Sequence, residues 1–367
     1  MSNKLKEIIN SRYEKIGDTD AGANWATMAL HPSAGPLELR GIPDADAFPS
    51  VCMDYESVVS VPPPSAATGT WKCVMNLFAH PVQPVAFRTV ATGGQVGYGG
   101  IINPTLASAA EYTQYAASLS QLCNSYRMMY CGVTIDLDAS ALNDAGSVVA
   151  GQFPLESQCF NYARPLASNC LANSHILCTN YSSNFPDQAI SQLPGAFMGL
   201  AKDGVYMPLK IDPLSPWIST NRAEYNTVSS PTTAQLPTNA SLGRALLPAA
   251  TPTAGTAFPW YGSTYYGNPY PAVPAWAFTD LTLNGDLQVA FQQMNCGHIV
   301  LYNLNVGASL TVKVRWGVEM RVEPTSILAP ALRPSATHDT LAMVAYSDIA
   351  GSLPWAYPSE YNASGKI

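Results

Sequence analysis

The stretch SLTVKVRWGVEMRVE, residues 309–323, decides the fold. Leu310, Val312, Val314, Trp316, Val318, Met320 and Val322 take alternate positions, and Thr311, Lys313, Arg315, Glu319, Arg321 and Glu323 lie between them. Successive side chains of a strand point to opposite faces, so a period of two predicts one long strand with a core face and a solvated polar face. At a subunit boundary the mixed charges of the polar face could instead form cross-chain pairs.

Working outward, further runs have β character: YESVVSV (55–61), TWKCVMNLFAH (70–80) and VAFRTVA (85–91), separated by PPPSAATG and PVQP. YRMMYCGVTIDLDASALNDAGSVVAGQF (126–153) predicts a hairpin-like pair of strands across a polar turn at Asn143–Gly146. Helical signals are few. Residues 3–16 form an amphipathic pattern, and LASAAEYTQYAASL (106–119) is a small-residue candidate. DTLAMVAYSDIAG (339–351) has Asp339 as N-cap, Gly351 just past its end and Pro354 as a stop. Many turn-punctuated strands without βαβ alternation predict an antiparallel sandwich, a jelly roll or an immunoglobulin-like fold.

Composition restricts the function. Only 12% of the 367 residues are charged, while Pro (30), Gly (26) and Tyr (19) are abundant. That balance suits a turn-rich β protein whose surface is largely spent on something other than water. A net charge of -7 gives no global attraction for a polyanion, so nucleic-acid contacts would be local. The eight cysteines contain no CxxC pair and read as mostly buried thiols of a reducing compartment. No apolar run approaches the ~20 residues of a membrane span, and MSNKLKEIIN lacks the apolar core of a signal peptide. A cytoplasmic origin makes the Asn-x-Ser sites at Asn180, Asn239 and Asn362 chance matches.

Signs of turnover chemistry are thin. The five histidines are far apart, there is no GxSxG or Walker loop, and GGQVGYGG (93–100) has glycines at the wrong offsets for a dinucleotide loop. Asp136, Asp138 and Asp144 are hard oxygen ligands of the kind Ca²⁺ prefers, set against the plainer reading of a solvated strand end and Asx turn. Residues 215–279 are a weakly patterned stretch with only Arg222, Glu224 and Arg244 charged, the length of a functional insertion or a disordered loop. Its aromatic part, 258–278, carries Trp260, Tyr261, Tyr265 and Tyr266, which could stack against sugars or bury against a neighbour. A β-sandwich carbohydrate-binding protein is therefore the alternative function, and a sandwich glycosidase would further need two convergent carboxylates.

Several blocks, in order, resemble the capsid proteins of nodaviruses and nodavirus-like small icosahedral viruses. GANWATMALHPS with RGIPD (22–33, 40–44) looks like the family's lead-in beneath the shell, and 126–155 resembles its paired-strand block. LPGAFMGLAKDGVYMPLKI (193–211), SLTVKVRWGVEMRVEPTS (309–326) and HDTLAMVAYSDIAGSLPWAYPSEYNAS (338–364) are similar to later blocks, the last ending at the family's cleavage site.

The resemblance implies an all-β, eight-stranded antiparallel jelly-roll shell with a long surface insertion and a few short helices. Residues 1–50 would be an interior helix and lead-in, 51–214 and 280–326 the shell, 215–279 a protrusion, and 327–367 a carboxy-terminal helix and interior tail. It implies a virion protein assembled in the host-cell cytoplasm, with itself as main partner, weak genome contact, a host receptor met through 215–279, and no membrane insertion. Lys4, Lys6, Arg12 and Lys15 would carry the genome contact, and no cofactor is required beyond Ca²⁺ that could bridge subunit interfaces. Relatives cut themselves at an Asn-Ala bond with the help of a buried Asp. Asn362-Ala363 matches the bond, but Asn24 stands at the acid position and an amide cannot shuttle a proton at neutral pH. Asp18 and Asp20 are the nearest acids in sequence. The chain is therefore expected to be structural rather than enzymatic, and to stay intact.

Overall fold

The structure is a computed structural model, which describes residues 15–35, 37–46, 48–65, 67–77, 84–91, 96–100, 122–153, 190–191, 195–212, 217–219 and 295–362. Two helices, α1 (Asp20–Leu30) and α2 (Thr340–Ser352), flank eleven described strands. These are β1 (Val51–Val61), β2 (Thr70–Leu77), β3 (Val85–Ala91), β4 (Val96–Gly100), β5 (Ser125–Asp138), β6 (Ser147–Phe153), β7 (Phe197–Leu200), β8 (Val205–Pro208), β9 (Ile218–Ser219), β10 (Cys296–Asn305) and β11 (Ser309–Arg321).

The strands form two antiparallel sheets, one ordered β1-β11-β5-β8 with β9 added to β5, the other ordered β4-β3-β2-β10-β6-β7. Among them β1 pairs with β11, β2 with β10, β5 with β8 and β6 with β7. Set out along the chain these four pairs are nested: first strand with last, second with second-last, and so inward. A long hairpin rolled onto itself produces this order, and it defines the jelly roll. Strands β3, β4 and β9 extend the two sheets.

Strand β11 follows its sequence pattern, with Leu310, Val312, Val314, Trp316, Val318 and Met320 all buried. Trp316 stacks on its register partner Tyr55, ring centroids 5.3 Å apart. The polar face departs from expectation at one end, because Glu319 is wholly buried. The lead-in segment covers it there, donating hydrogen bonds from Ile42 N (3.2 Å) and Ser50 Oγ (2.7 Å) to its carboxylate.

The hairpin expected across Asn143–Gly146 does not form. β5 pairs in one sheet with β11 and β8, and β6 pairs in the other with β10 and β7. The intervening turn carries the chain between sheets, consistent with β5 being buried at ten consecutive positions, Tyr126 to Ile135. A strand buried that continuously needs cover on both faces. One face meets the sandwich core and α1 packs against the strand.

Residues 20–30, read in sequence only as part of a Gly/Asp/Pro-rich lead-in, form α1. Thr19 caps it by accepting from Gly22 N, and Trp25, Ala26, Met28 and Ala29 face inward. α2 starts at the expected cap, with Asp339 accepting from Ala342 N at 2.9 Å, but runs one residue past Gly351. The helices meet through Trp25 and Tyr346, ring centroids 5.2 Å apart. Asp339 also accepts from Thr19 N (2.7 Å) and Thr19 Oγ1 (2.9 Å), so one carboxylate serves both helix starts. Cys73, Cys123 and Cys131 are buried free thiols, as the sequence suggested. The helical readings of 3–16 and 106–119 lie outside the described residues.

Candidate functional site

The polar face of the β1-β11-β5 sheet presents Glu56, Lys313, Arg315, Thr134 and Asp136 in adjoining rows, because Thr134 and Lys313 are register partners, as are Glu56 and Arg315. The chain returns across this face after α2. Tyr357 exchanges two backbone hydrogen bonds with Tyr206 of β8 (2.7 and 2.8 Å), and Ser359 Oγ donates to Asp203 O (3.2 Å). The turn that follows, Ser359–Asn362, and the loop at Ser33 and Gly35 enclose a cleft of about 360 Å³ over the sheet.

Charges in the cleft are largely paired. Arg315 Nε donates to both oxygens of Asp54 (3.1 and 3.2 Å). Those bonds to Asp54 raise the guanidinium's pKa further, against the opposing effect of burial. Lys313 Nζ lies 3.7 Å from Asp136, both side chains 40% exposed. Tyr130 donates to Asp54 and its phenol is pushed up, first by burial and then by that carboxylate. Gly317 makes this possible, since a Cβ there would fall against the Tyr130 ring.

Asn362 lies in this cleft, its Nδ2 donating to Thr134 Oγ1 while its Oδ1 is buried with no hydrogen-bond partner among the described residues. Ala363 lies outside the described residues. Asp136, singled out as a calcium ligand, lines the same cleft with Glu56 and Glu360. Asn24 is elsewhere, on α1, donating to Glu38 O at 3.1 Å. Asp18 pairs with Lys15 at 3.3 Å, and neither Asp18 nor Asp20 is among the residues lining the cleft. Self-cleavage needs a carboxyl group in a water-poor site. The carboxylate of Asp136, partly exposed to water and ion-paired with Lys313, is in a different setting.

Asp138 is exposed at the end of β5 and Asp144 sits half-buried in the following turn. Among the described residues no three His, Cys, Asp or Glu side chains gather as a metal would require. The described residues of one copy therefore offer no cluster of acidic side chains that could close around Ca²⁺. Lys15 is exposed, whereas Lys4, Lys6 and Arg12 lie outside the described residues, as do Trp260, Tyr261, Tyr265 and Tyr266.

Sequence reasoning missed a second cluster. Arg127 Nε donates to Glu319 (2.6 Å), with side chains 1% and 0% exposed, and the guanidinium also binds Asp44. Arg321 binds Asp46. The register pairing of Arg127 with Glu319 was not visible in sequence, because it depends on a bulge at Gly317/Val318 that shifts β5 against β11. Burial opposes the charge on Arg127, but Glu319 and Asp44 more than offset it and raise its pKa.

No family model matches the sequence, and no curated protein sequence matches it. In fold, the jelly roll is nonetheless similar over most of its length to solved structures of icosahedral virus particles. The T13 particle of infectious bursal disease virus matches with TM-score 0.54 and 11% identity, over 98% of this chain and 96% of that one. The VP2 subviral particle of the same virus gives 0.53 and 11%, over 92% and 97%. Its T=1 particles give 0.51 and 12%, over 92% and 94%. At these identities the likeness is one of fold. No described helix is long and apolar enough to cross a membrane.

Proposed function

We propose that the chain is the shell subunit of a small icosahedral virus, a structural protein that works by associating with copies of itself. The observation that carries this is the nested jelly-roll pairing, in a chain whose fold is similar over 92% and 98% of its length to two structures of icosahedral virus particles. Low surface charge agrees with it, since a shell subunit gives several faces to neighbours, each specific contact burying on the order of 800 Å² per partner. The nodavirus-like affiliation rests on the ordered sequence blocks at 22–44, 126–155, 193–211, 309–326 and 338–364.

Within this reading, residues 215–279 form the outward protrusion that meets a host receptor. Ile218–Ser219 is still paired to β5, so on this reading the protrusion begins after β9 rather than at residue 215. Variants within 221–257 that assemble but lose attachment would support the assignment, and unaltered attachment would count against it. The amino-terminal residues, with a net charge of +2 over the first fifteen, make limited genome contacts. Unchanged nucleic-acid content in particles lacking residues 1–16 would remove that idea. Ca²⁺ at Asp136 and Asp138 would need further ligands beyond the described side chains, which a second copy could supply at a subunit interface. Expression of the chain followed by electron microscopy tests the shell reading itself: closed uniform particles are expected, and a stable monomer contradicts it.

A further inference from the structure

Trp217 is the last residue described before β9, and 220–294 follow directly after that strand. Its contacts come from three distant parts of the chain. The guanidinium of Arg127 (β5) lies over its ring at 4.5 Å and that of Arg321 (β11) at 4.1 Å. Its Nε1 donates to Asp46 Oδ2 of the lead-in segment at 2.5 Å. The same Asp46 oxygen accepts from Arg321, and Arg321 also lies over Phe48 at 4.7 Å. Arg127 is meanwhile bonded to Asp44 and Glu319, and Glu319 accepts from Ile42 N and Ser50 Oγ. The side-chain contacts that tie Asp44 and Asp46 to β5 and β11 thus pass through Arg127 and Arg321, which both touch Trp217, whereas Pro43 O and Phe48 O are held separately by Asp339 N (3.0 Å) and Ser335 Oγ (2.6 Å).

We propose that Trp217 is a joint that couples the root of the 220–294 stretch to the lead-in segment, so that displacing one loosens the other. The physical basis is shared partners. One buried and one half-buried guanidinium group are held beside each other by one indole and three carboxylates, and withdrawing the indole removes two cation–π contacts and one hydrogen bond together. Arg127 and Arg321 then lose the surface that positions them toward Asp44 and Asp46. Coupling of this kind is reciprocal by thermodynamic necessity, so freeing Asp46 must loosen Trp217 to the same degree. Where 215–279 is the protrusion, the joint links the outer face to the segment leading to the amino terminus. The coupling itself does not depend on that reading.

Hydrogen exchange on the intact chain tests it. Trp217→Ala is expected to speed exchange about tenfold at the Ile42, Asp44 and Asp46 amides, and Asp46→Asn to speed it comparably at Ile218 and Ser219. Trp217→Phe, which keeps a ring under the cations but loses the Nε1 hydrogen bond, should give an intermediate effect on the lead-in. The Val149 and Ile299 amides in the other sheet report on global loosening and should not change. Faster exchange confined to residues 217–219, or an equal increase at Val149 and Ile299, would overturn the proposal, since the first is a local effect and the second simple destabilisation.

Discussion

Arg127 and Glu319 face each other as register partners of β5 and β11, joined at 2.6 Å with both side chains out of water. Neither charge could be left alone there. Removing one partner of a buried ion pair costs on the order of 3–5 kcal/mol, because the other stays desolvated and unpaired. Glu319→Ala, which leaves the buried Arg127 with Asp44 as its remaining carboxylate, should therefore destabilise the chain by up to about that amount, and the double change Arg127→Met with Glu319→Leu by clearly less. Denaturant unfolding of the two variants and the parent measures it. A small effect of Glu319→Ala would mean the lead-in segment does not cover the carboxylate.

Gly41 sits beside that pair with φ +98°, and a Cβ added there would fall within 2.2 Å of the Glu319 carboxylate. Both the left-handed backbone and the contact penalise a side chain. Gly41→Ala should cost more than about 2 kcal/mol, the sum of roughly 1–2 for the conformation and a further cost for moving Glu319. The comparable change Gly35→Ala, at φ +121° but with nothing within 4 Å, should cost only the conformational part. Equal losses in the two variants, by thermal unfolding, would contradict the crowding at Gly41.

Asp339 links the starts of both helices. Burial by itself would raise its pKa, but hydrogen bonds from the Ala342, Thr19 and Asp18 backbone and the Thr19 hydroxyl hold it below the ordinary 3.8. A carboxylate with a depressed folded-state pKa stabilises above its unfolded value and loses that contribution as pH falls through the folded one. Asp339→Asn should thus be less stable than the parent at pH 7, by about 0.5–2 kcal/mol, with the gap closing as pH falls below about 4. Denaturation midpoints from pH 7 to pH 3 measure this, and a gap that stays constant would place the charge elsewhere.

The bond at Asn362-Ala363 should remain intact. Asn24, at the position where the nodavirus-like resemblance would place the acid, has no acid chemistry to offer, and the carboxylates lining the Asn362 cleft are exposed or ion-paired. Intact mass of purified, aged protein is expected to show a chain ending at Ile367. A dominant product ending at Asn362 would show that Asp136, Glu56 or Glu360 supplies the proton transfers after all.

How much of this was legible in the sequence varied with the range of the interaction. Strand β11 and the Asp339 cap are local patterns, and both appear where the residues indicate. β5 and β6 were legible as strands, but Asn143–Gly146 signals only a change of direction and cannot say whether the chain re-enters the same sheet. α1 was hidden by Gly22 and the surrounding Asp and Gly, although Trp25, Met28 and Ala29 carry helical spacing. Glu319 read as solvated because alternation cannot reveal what covers a face. The cleft was least legible of all, since Thr134 and Asn362 meet across 228 positions.

The central claim is that this jelly roll builds a closed shell from copies of one chain. Sedimentation velocity with electron microscopy on the purified protein tests it most directly. The account predicts a single fast species of uniform hollow particles, many times the 39.1 kDa of one chain. A monomer or dimer that persists over a wide range of salt and protein concentration would contradict it.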